Sequence, residues 1–203
     1  MKNNEELVKD LLLRLRKLNY IHSRDIPDIE LYMDQVTTFM EQHLSPGKRH
    51  DEDKILTKTM INNYAKNNLL PPPVKKKYSR DHLILLAFIY YFKGFLSIGD
   101  IQVLLSPLSE KYFTEEHHEL DKIYNEIVKI EKLQLVDLLK EVEARAELAG
   151  RSFKNAPEEE QDYLQLFSFV CMLSFDVYLK KQMIEQIIDE MRDAAKEGTP
   201  DKK

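Results

Sequence analysis

The chain has 203 residues, of which 43% are hydrophobic and 32% charged, and its formal net charge is -5. This length and apolar content are enough for one or two domains with a buried core, and they exclude a chain that is disordered throughout. Five glycines, no tryptophan and abundant Leu, Ile, Glu and Lys favour an all-α fold. The single cysteine, Cys171, excludes an internal disulfide, and no long apolar segment follows a basic start, so we expect no signal peptide and a cytoplasmic location.

Two amphipathic helices are predicted in the first 44 residues. Leucines at helical spacing predict the first over residues 4–20, within an N-terminal segment 1–24. Asp25-Ile26-Pro27-Asp28 is a helix-start signature, so the second helix is expected to begin there and to end at Leu44. The polar segment 45–54 is predicted to be an enlarged loop.

Three further helices are predicted between residues 57 and 105. The first runs from 57 to 68, with Thr57 as its N-cap. The sequence LLPPPVKKKYS follows, and three consecutive prolines exclude a helix there, which leaves a short extended excursion or a minimal hairpin. Ser79 is expected to cap a helix to Lys93, whose run LILLAFIYYF predicts the hub of the core. Ser97-Ile98-Gly99-Asp100 resembles a capping box and predicts a short helix through Leu105, and Pro107 is expected to mark a domain boundary.

The remaining residues, 107–203, form an acidic helical segment with 14 basic and 22 acidic residues. Apolar periodicity predicts long helices over 114–148 and 158–196, and the break between them predicts a helical hairpin. Residues 163–179 are apolar nearly all round, so we expect this C-terminal domain to form a homodimer. The longest apolar run that we identify, Leu83 to Phe92, is half of what a bilayer requires, so no membrane span is predicted.

The segment 25–106 resembles the winged helix-turn-helix of the mercury-resistance-regulator (MerR) family. Leu69-Leu70-Pro71-Pro72 is similar to the Gly-Leu-Leu-x-Pro that follows that family's recognition helix, with Asn68 in the position of its left-handed glycine. Tyr78-Ser79 resembles the Tyr-Ser at the end of its wing, and Gly94 to Ile101 resembles its Gly-Phe-Ser-Leu-Glu-Glu-Ile. LYMDQV, LTKTMINNY and KKKYSRDH more closely resemble the bacterial family of domain of unknown function 1836. The resemblance to the MerR family implies a DNA-binding regulator that dimerises through residues after its wing. The resemblance to the second family brings no established activity.

A basic segment in this acidic chain is the candidate site. Residues 54–80 contain seven Lys and Arg and no acidic residue, which is typical of a surface that faces a phosphate backbone. If Met60, Ile61 and Tyr64 face inward, the outer face of this helix presents amide and amino groups suited to the major groove of double-stranded DNA. The lysines of the wing would then contact flanking phosphates. The predicted DNA-binding residues are Lys58, Thr59, Asn62, Asn63, Lys66, Lys75, Lys76, Lys77 and Arg80.

Other chemistry has little support in the sequence. The six histidines and one cysteine form no metal-ligand spacing, and there is no phosphate-binding glycine motif or nucleophile elbow, so we predict no enzyme, no cofactor and no metal. Aromatic residues of the last helix are candidates for a small-molecule or protein effector site, although such a stripe is also typical of a core or a dimer seam; they are Tyr163, Phe167, Phe169, Phe175 and Tyr178.

The sequence therefore favours a DNA-binding transcriptional regulator that acts as a homodimer. The alternative is a helical protein-interaction adaptor that has kept a winged-helix scaffold without DNA binding. Asp51, Glu52 and Asp53 in the enlarged loop favour this alternative, as does Asn62-Asn63-Tyr64 at the position of the MerR family's Arg-Tyr-Tyr.

Overall fold

The computed structural model describes residues 4–17, 20–113 and 119–197. The chain forms two compact units, one from Met1–Asn19 and Lys129–Met183, the other from Tyr20–Val128 and Ile184–Lys203. We call them the hairpin unit and the basic unit. Each unit contains segments from more than one of the predicted domains.

The described residues are mostly helical, which confirms the predicted helical class. Short 3-10 turns lie at Ser23–Asp25 and Ser45–Gly47. The strands β1 (Leu31–Tyr32) and β2 (Lys77–Tyr78) pair antiparallel, with Leu31 opposite Tyr78. The helices are α1 (Asn4–Arg16), α2 (Met33–Leu44), α3 (Lys58–Lys66), α4 (Arg80–Phe92), α5 (Ile98–Tyr112), α6 (Glu119–Gly150) and α7 (Glu158–Glu197).

The helix α4 is the centre of the basic unit's core. Every residue from Asp81 to Ile89 is buried, as its unbroken apolar sequence predicted. Its Phe88 ring contacts Tyr124 of α6 at 5.4 Å between ring centroids. The Tyr124 hydroxyl donates a hydrogen bond to the Ile21 carbonyl at 2.7 Å, which satisfies a polar group that is otherwise fully enclosed.

The predicted start of the second helix is wrong, because α2 begins at Met33. The residues just before it are extended, and β1 satisfies its backbone groups by pairing with β2 instead of forming a helical turn. The Tyr32 amide then donates to Gln35 Oε1 at 2.9 Å, which fixes the beginning of α2. Ile29, which lies within the predicted second helix, is 67% exposed.

The predicted end of the fifth helix at Leu105 is also wrong, since α5 continues through Pro107 to Tyr112. An internal proline removes one backbone hydrogen bond and costs about 3 kcal/mol. Leu108 and Tyr112 pack against the core beyond it, and their burial offsets that cost.

The predicted local caps are confirmed. Thr57 precedes α3 and its hydroxyl accepts a hydrogen bond from the Met60 amide at 3.1 Å. Asn68 ends this helix with φ 54°, the left-handed conformation expected of a glycine substitute. Ser97 Oγ accepts from the Asp100 amide at 3.1 Å, and Ser97 donates to Asp100 Oδ2 at 2.7 Å, which together begin α5.

In the hairpin unit, α6 and α7 are joined by a non-helical break at residues 151–157, as predicted. The first five residues of the predicted helix 114–148 lie outside the described residues. The core of this unit is small, with Val142, Ala149 and Phe169 buried at its centre. Arg145 contributes a hydrogen bond across the hairpin to the Met172 carbonyl at 3.1 Å.

Candidate nucleic-acid interface

The helix α3 is amphipathic, and its buried and exposed sides are the ones that the sequence predicts. Ile61 and Tyr64 are buried and Met60 is half-buried, so one side of the helix is fixed on the core. Burial raises the pKa of Tyr64 above its ordinary value. The opposite side presents five exposed polar residues, namely Lys58, Thr59, Asn62, Asn63 and Lys66.

The three prolines are followed by a tight hairpin whose tip is formed by two lysines. Val74 and Lys77 pair across the turn, and the Lys77 amide donates to the Val74 carbonyl at 2.9 Å. Lys75 and Lys76 lie between them with φ 50° and 64°. Two consecutive left-handed residues form the mirror-image turn that normally selects Asn-Gly, so this turn is strained by its own side chains. Both lysines are exposed.

The helix and the hairpin are attached to the same core by the segment between them. Leu69 and Leu70 are buried, and their amides donate to the Tyr64 carbonyl at 2.9 and 3.3 Å. At the other end Tyr78 is buried and lies in β2. The predicted recognition helix and wing are therefore attached to one core, and the exposed groups of both belong to the basic unit.

Carboxylates from the segment around β1 neutralise two of the predicted lysines. The Lys58 ammonium forms an ion pair with Asp34 at the beginning of α2. The Lys77 ammonium lies 3.6 Å from a Glu30 carboxylate oxygen and 5.7 Å from the centre of the Tyr32 ring. The pairing of β1 with β2 brings Glu30 to the wing, although the two are distant in the sequence.

Arg80 does not join the exposed surface. Its side chain is 12% exposed, and its guanidinium donates to Asp121 Oδ1 at 2.7 and 3.0 Å and to Asp28 Oδ1 at 2.8 Å. It also donates to the carbonyls of Ser23 and Ile26. Arg80 is therefore an internal clamp between the start of α4, the segment before β1 and α6, and we leave it out of the candidate interface.

Three predicted lysines keep an uncompensated charge. Within the described ranges, Lys66, Lys75 and Lys76 have no carboxylate at ion-pairing distance. Lys66 lies at the end of α3, where a cation also stabilises the helix dipole. These three lysines, together with Asn62 and Asn63 one helical turn before Lys66, are the polar groups most available to a polyanion.

The enlarged loop before α3 is folded onto the core and carries acidic groups. Ile55 and Leu56 are buried, and the Lys93 ammonium donates to the Ile55 carbonyl at 2.6 Å. Burial lowers the pKa of Lys93. Asp51, Glu52 and Asp53 line an open cleft of about 430 Å³ whose wall reaches Thr57, the residue that caps α3. A negative field therefore lies beside the beginning of the predicted recognition helix.

The aromatic residues predicted for an effector site differ in their exposure along α7. Phe169 is buried in the hairpin unit, and the other four are more than half exposed. A separate cavity of about 600 Å³ lies among α1, α6 and α7, and Phe169 is the one aromatic residue of the proposed set that lines it. The described residues contain no cluster of His, Cys, Asp and Glu that could hold a metal ion.

The helix α7 is long and apolar enough to cross a membrane, by length and composition alone. The predicted absence of a membrane span rests on the unbroken apolar run in α4 alone and does not take α7 into account. Little of its apolar window is buried, so its exposed apolar surface requires a separate explanation.

Comparison with known proteins identifies one family. Residues 21–127, just over half of the chain, match the model of a family described as "Domain of unknown function (DUF1836)". No curated protein and no solved structure matches the chain. The matched range contains α2, α3, both strands, α4 and α5, and therefore the whole candidate interface.

Proposed function

The chain belongs to the DUF1836 family, and we propose that it is a DNA-binding transcriptional regulator with a MerR-like winged helix-turn-helix. In this proposal α3 enters the major groove and the turn at Lys75 and Lys76 contacts a flanking phosphate. The observation that carries it is the combination of an outward polar face on α3 with an exposed lysine pair in a strained turn.

The face of α3 has the chemistry for base recognition. The amides of Asn62 and Asn63 are exposed on the helix, and an asparagine amide pairs with adenine through two hydrogen bonds. Lys66 is placed to reach a guanine edge or a phosphate near the end of the helix. Because Ile61 and Tyr64 fix the other side, the polar groups are presented on a rigid element.

The conformational strain of the hairpin turn supports the proposal. Left-handed lysines are less stable than Asn-Gly in the same turn, so the folded protein retains charge there at the expense of stability. A contact with a phosphate accounts for the two positive charges at this strained position. Lys58 and Lys77 take a smaller part, because their ammonium groups must first exchange Asp34 and Glu30 for phosphate. Exposed ion pairs contribute only about 0–1 kcal/mol, so this exchange is permitted.

The alternative, a protein-interaction adaptor without DNA binding, is favoured by one observation. Asp51, Glu52 and Asp53 line the cleft that reaches Thr57, and their field opposes a phosphate at the beginning of α3. In this alternative the exposed face of α3 contacts a polar protein surface.

Selection from fragmented genomic DNA at about 50 mM salt distinguishes the two, because electrostatic contacts are strongest there. The regulator enriches a defined sequence, and replacing Asn62 and Asn63 by alanine reduces the enrichment of that sequence over random DNA. Replacing Lys75 and Lys76 by alanine weakens binding to all duplexes alike. If no duplex is enriched and neither pair of substitutions changes DNA binding, the adaptor is the correct assignment.

A further inference from the structure

The two halves of α3 differ in how their polar groups are engaged. In the first half, the Lys58 ammonium forms an ion pair with Asp34, and the Thr57 hydroxyl caps the helix. In the second half, Asn62 and Asn63 are exposed, and within the described ranges their side-chain amides have no hydrogen-bond partner. The amide groups that are free to recognise a ligand therefore lie in the second half.

The electrostatic field divides the helix in the same way. The cleft that reaches Thr57 is lined by three neighbouring acidic residues, namely Asp51, Glu52 and Asp53. Their field repels a phosphate at the first turn of α3, where Thr59 is exposed. Lys66 lies at the other end and has no carboxylate at ion-pairing distance among the described residues. The second half of α3 is therefore the end that a polyanion approaches most closely.

The spacing of these side chains matches the spacing of base pairs. From Asn62 to Lys66 the helix rises by about 6 Å, at 1.5 Å per residue. Base pairs follow each other at about 3.4 Å, so the three side chains span about two base-pair steps. Asn62 and Asn63 point about 100° apart around the helix, so they reach neighbouring base pairs and not one base together.

The chemistry of an amide selects adenine among the bases. Its oxygen accepts a hydrogen bond from the adenine amino group at N6, while its nitrogen donates to adenine N7. Guanine presents two acceptors at the same positions, so the amide oxygen would face an oxygen and remain unpaired. Two neighbouring free amides are therefore suited to two neighbouring A·T pairs.

The basic groups of the interface offer little competing recognition. Arg80 is the one arginine of residues 54–80, and its guanidinium is held by Asp121 and Asp28, so it cannot reach a guanine edge. Among residues 54–80, the lysines Lys66, Lys75 and Lys76 of the candidate interface keep an uncompensated charge. Three phosphate contacts give a salt slope of about 2.7 per copy, so phosphate binding alone is modest. Base contacts must then supply most of the preference for one duplex.

We propose that α3 reads DNA through its second half, with Asn62 and Asn63 each pairing with an adenine of two neighbouring A·T pairs in the major groove. This inference rests on the proposed DNA binding and names the base pairs that it selects. It also differs from the common helix-turn-helix arrangement, in which the N-terminal residues of the recognition helix contact the base edges.

The first test identifies the atoms of DNA that the chain reads. Selection of the full chain on random duplexes at about 50 mM salt is expected to enrich a sequence with two adjacent A·T pairs. Each adenine of that sequence is then replaced by 7-deazaadenine, which lacks the N7 acceptor but still pairs with thymine. The replacement is expected to weaken binding by about 5-fold or more at the two central positions and to have no effect at the others.

The second test assigns each contact to its residue. Asn62→Ala and Asn63→Ala are each expected to weaken binding to the enriched duplex by about 5- to 150-fold. Each variant is expected to lose the response to 7-deazaadenine at one central position and to keep it at the other, which a merely structural role would not produce. Asn67→Ala is the matched control, because the Asn67 amide is also exposed but already donates to the Asn63 carbonyl at 2.8 Å. It is expected to keep both responses, and circular dichroism verifies that all three variants fold.

The third test concerns the first half of the helix. Asp34→Asn releases Lys58 from its ion pair. The freed ammonium is expected to bind a phosphate, which strengthens binding to all duplexes alike and raises the salt slope by about 0.9 per copy. The preferred sequence is expected to stay the same, and a changed preference would show that Lys58 reads a base.

The outcomes separate this inference from the regulator assignment. A preferred duplex that contains no adjacent A·T pairs, or that is insensitive to 7-deazaadenine, would overturn the inference and leave the regulator assignment standing. The same holds if Lys58→Ala or Thr59→Ala relaxes the preference while both asparagine variants keep it, because base reading would then lie in the first half. A chain that enriches no duplex would refute the regulator assignment and this inference together.

Discussion

Replacing Lys75-Lys76 with Asn-Gly is expected to make the protein more stable and to weaken its binding to DNA. Both lysines have left-handed backbones, with φ 50° and 64°, and a side chain in that conformation costs about 1 kcal/mol or more. Asparagine tolerates it and glycine prefers it, so the double substitution should raise the free energy of unfolding by about 1–2 kcal/mol. For a chain of this size that corresponds to an increase in Tm of roughly 2–8 °C.

The effect on DNA follows from the loss of two charges per copy. Each phosphate contact contributes about 0.9 to the slope of log affinity against log salt, so two contacts contribute about 1.8. At about 0.1 M salt this corresponds to an affinity roughly 60-fold weaker per copy than that of the native chain. The assay is fluorescence anisotropy with a labelled duplex over a salt series, combined with urea unfolding of the same samples.

Lys75→Ala with Lys76→Ala is the matched control, because it removes the same charges and keeps left-handed side chains. It is expected to weaken DNA binding as much as Asn-Gly does and to leave the stability nearly unchanged. Equal stability of the native and Asn-Gly proteins would refute the strain argument. Equal DNA affinity and salt slope would refute the phosphate contacts.

Four further substitutions test the basic unit by urea unfolding. Phe88→Ala is expected to lower the free energy of unfolding by about 3–5 kcal/mol because Phe88 is buried. Phe92→Ala should lower it less, because the Phe92 ring is half-buried and stacks on Phe88. Equal losses for the two variants would contradict the observed packing. Arg80→Met is expected to destabilise the chain by about 2–4 kcal/mol, because Asp121 loses its partner. The dependence of DNA binding on salt concentration is expected to stay unchanged, and a smaller dependence would show that Arg80 belongs to the interface. Hydrogen bonds from Ser97 and the charge of Arg192 lower the pKa of Asp100, so the stability that its carboxylate contributes is present at neutral pH and is lost as the pH falls through that lowered pKa. The stability difference between Asp100→Asn and the native chain should therefore shrink toward acid pH. A constant difference would exclude this linkage.

Local features of the fold follow from short stretches of sequence. Local sequence predicts helix starts at Thr57 and Ser97, and the resemblance to the MerR motif predicts a left-handed helix end at Asn68; the structure confirms each. A cap depends on contacts within three or four residues, so the sequence contains all the groups that it needs. The hub helix α4 could be predicted for a similar reason, because a helix that is apolar on every side must be enclosed.

Boundaries decided by distant contacts could not be predicted in this way. The segment before α2 has a helix-start signature, yet it is extended because β2, almost fifty residues away, offers a partner for its backbone. Pro107 stays inside a helix because the residues beyond it gain more from the core than the proline costs. In both cases the free energy gained from tertiary contacts exceeds the local conformational preference of the sequence.

The candidate interface shows the same division. The sequence determined that residues 54–80 are basic and that the outer side of α3 is polar, because both depend on residue identity and helical period alone. Only the tertiary structure decided that Arg80 is an internal clamp and that Glu30 and Asp34 neutralise Lys77 and Lys58, because a charge is compensated by whichever group folding brings within a few ångströms. Likewise, the periodicity of α7 is written in its sequence, but which of its faces remains uncovered depends on where α1 and α6 pack.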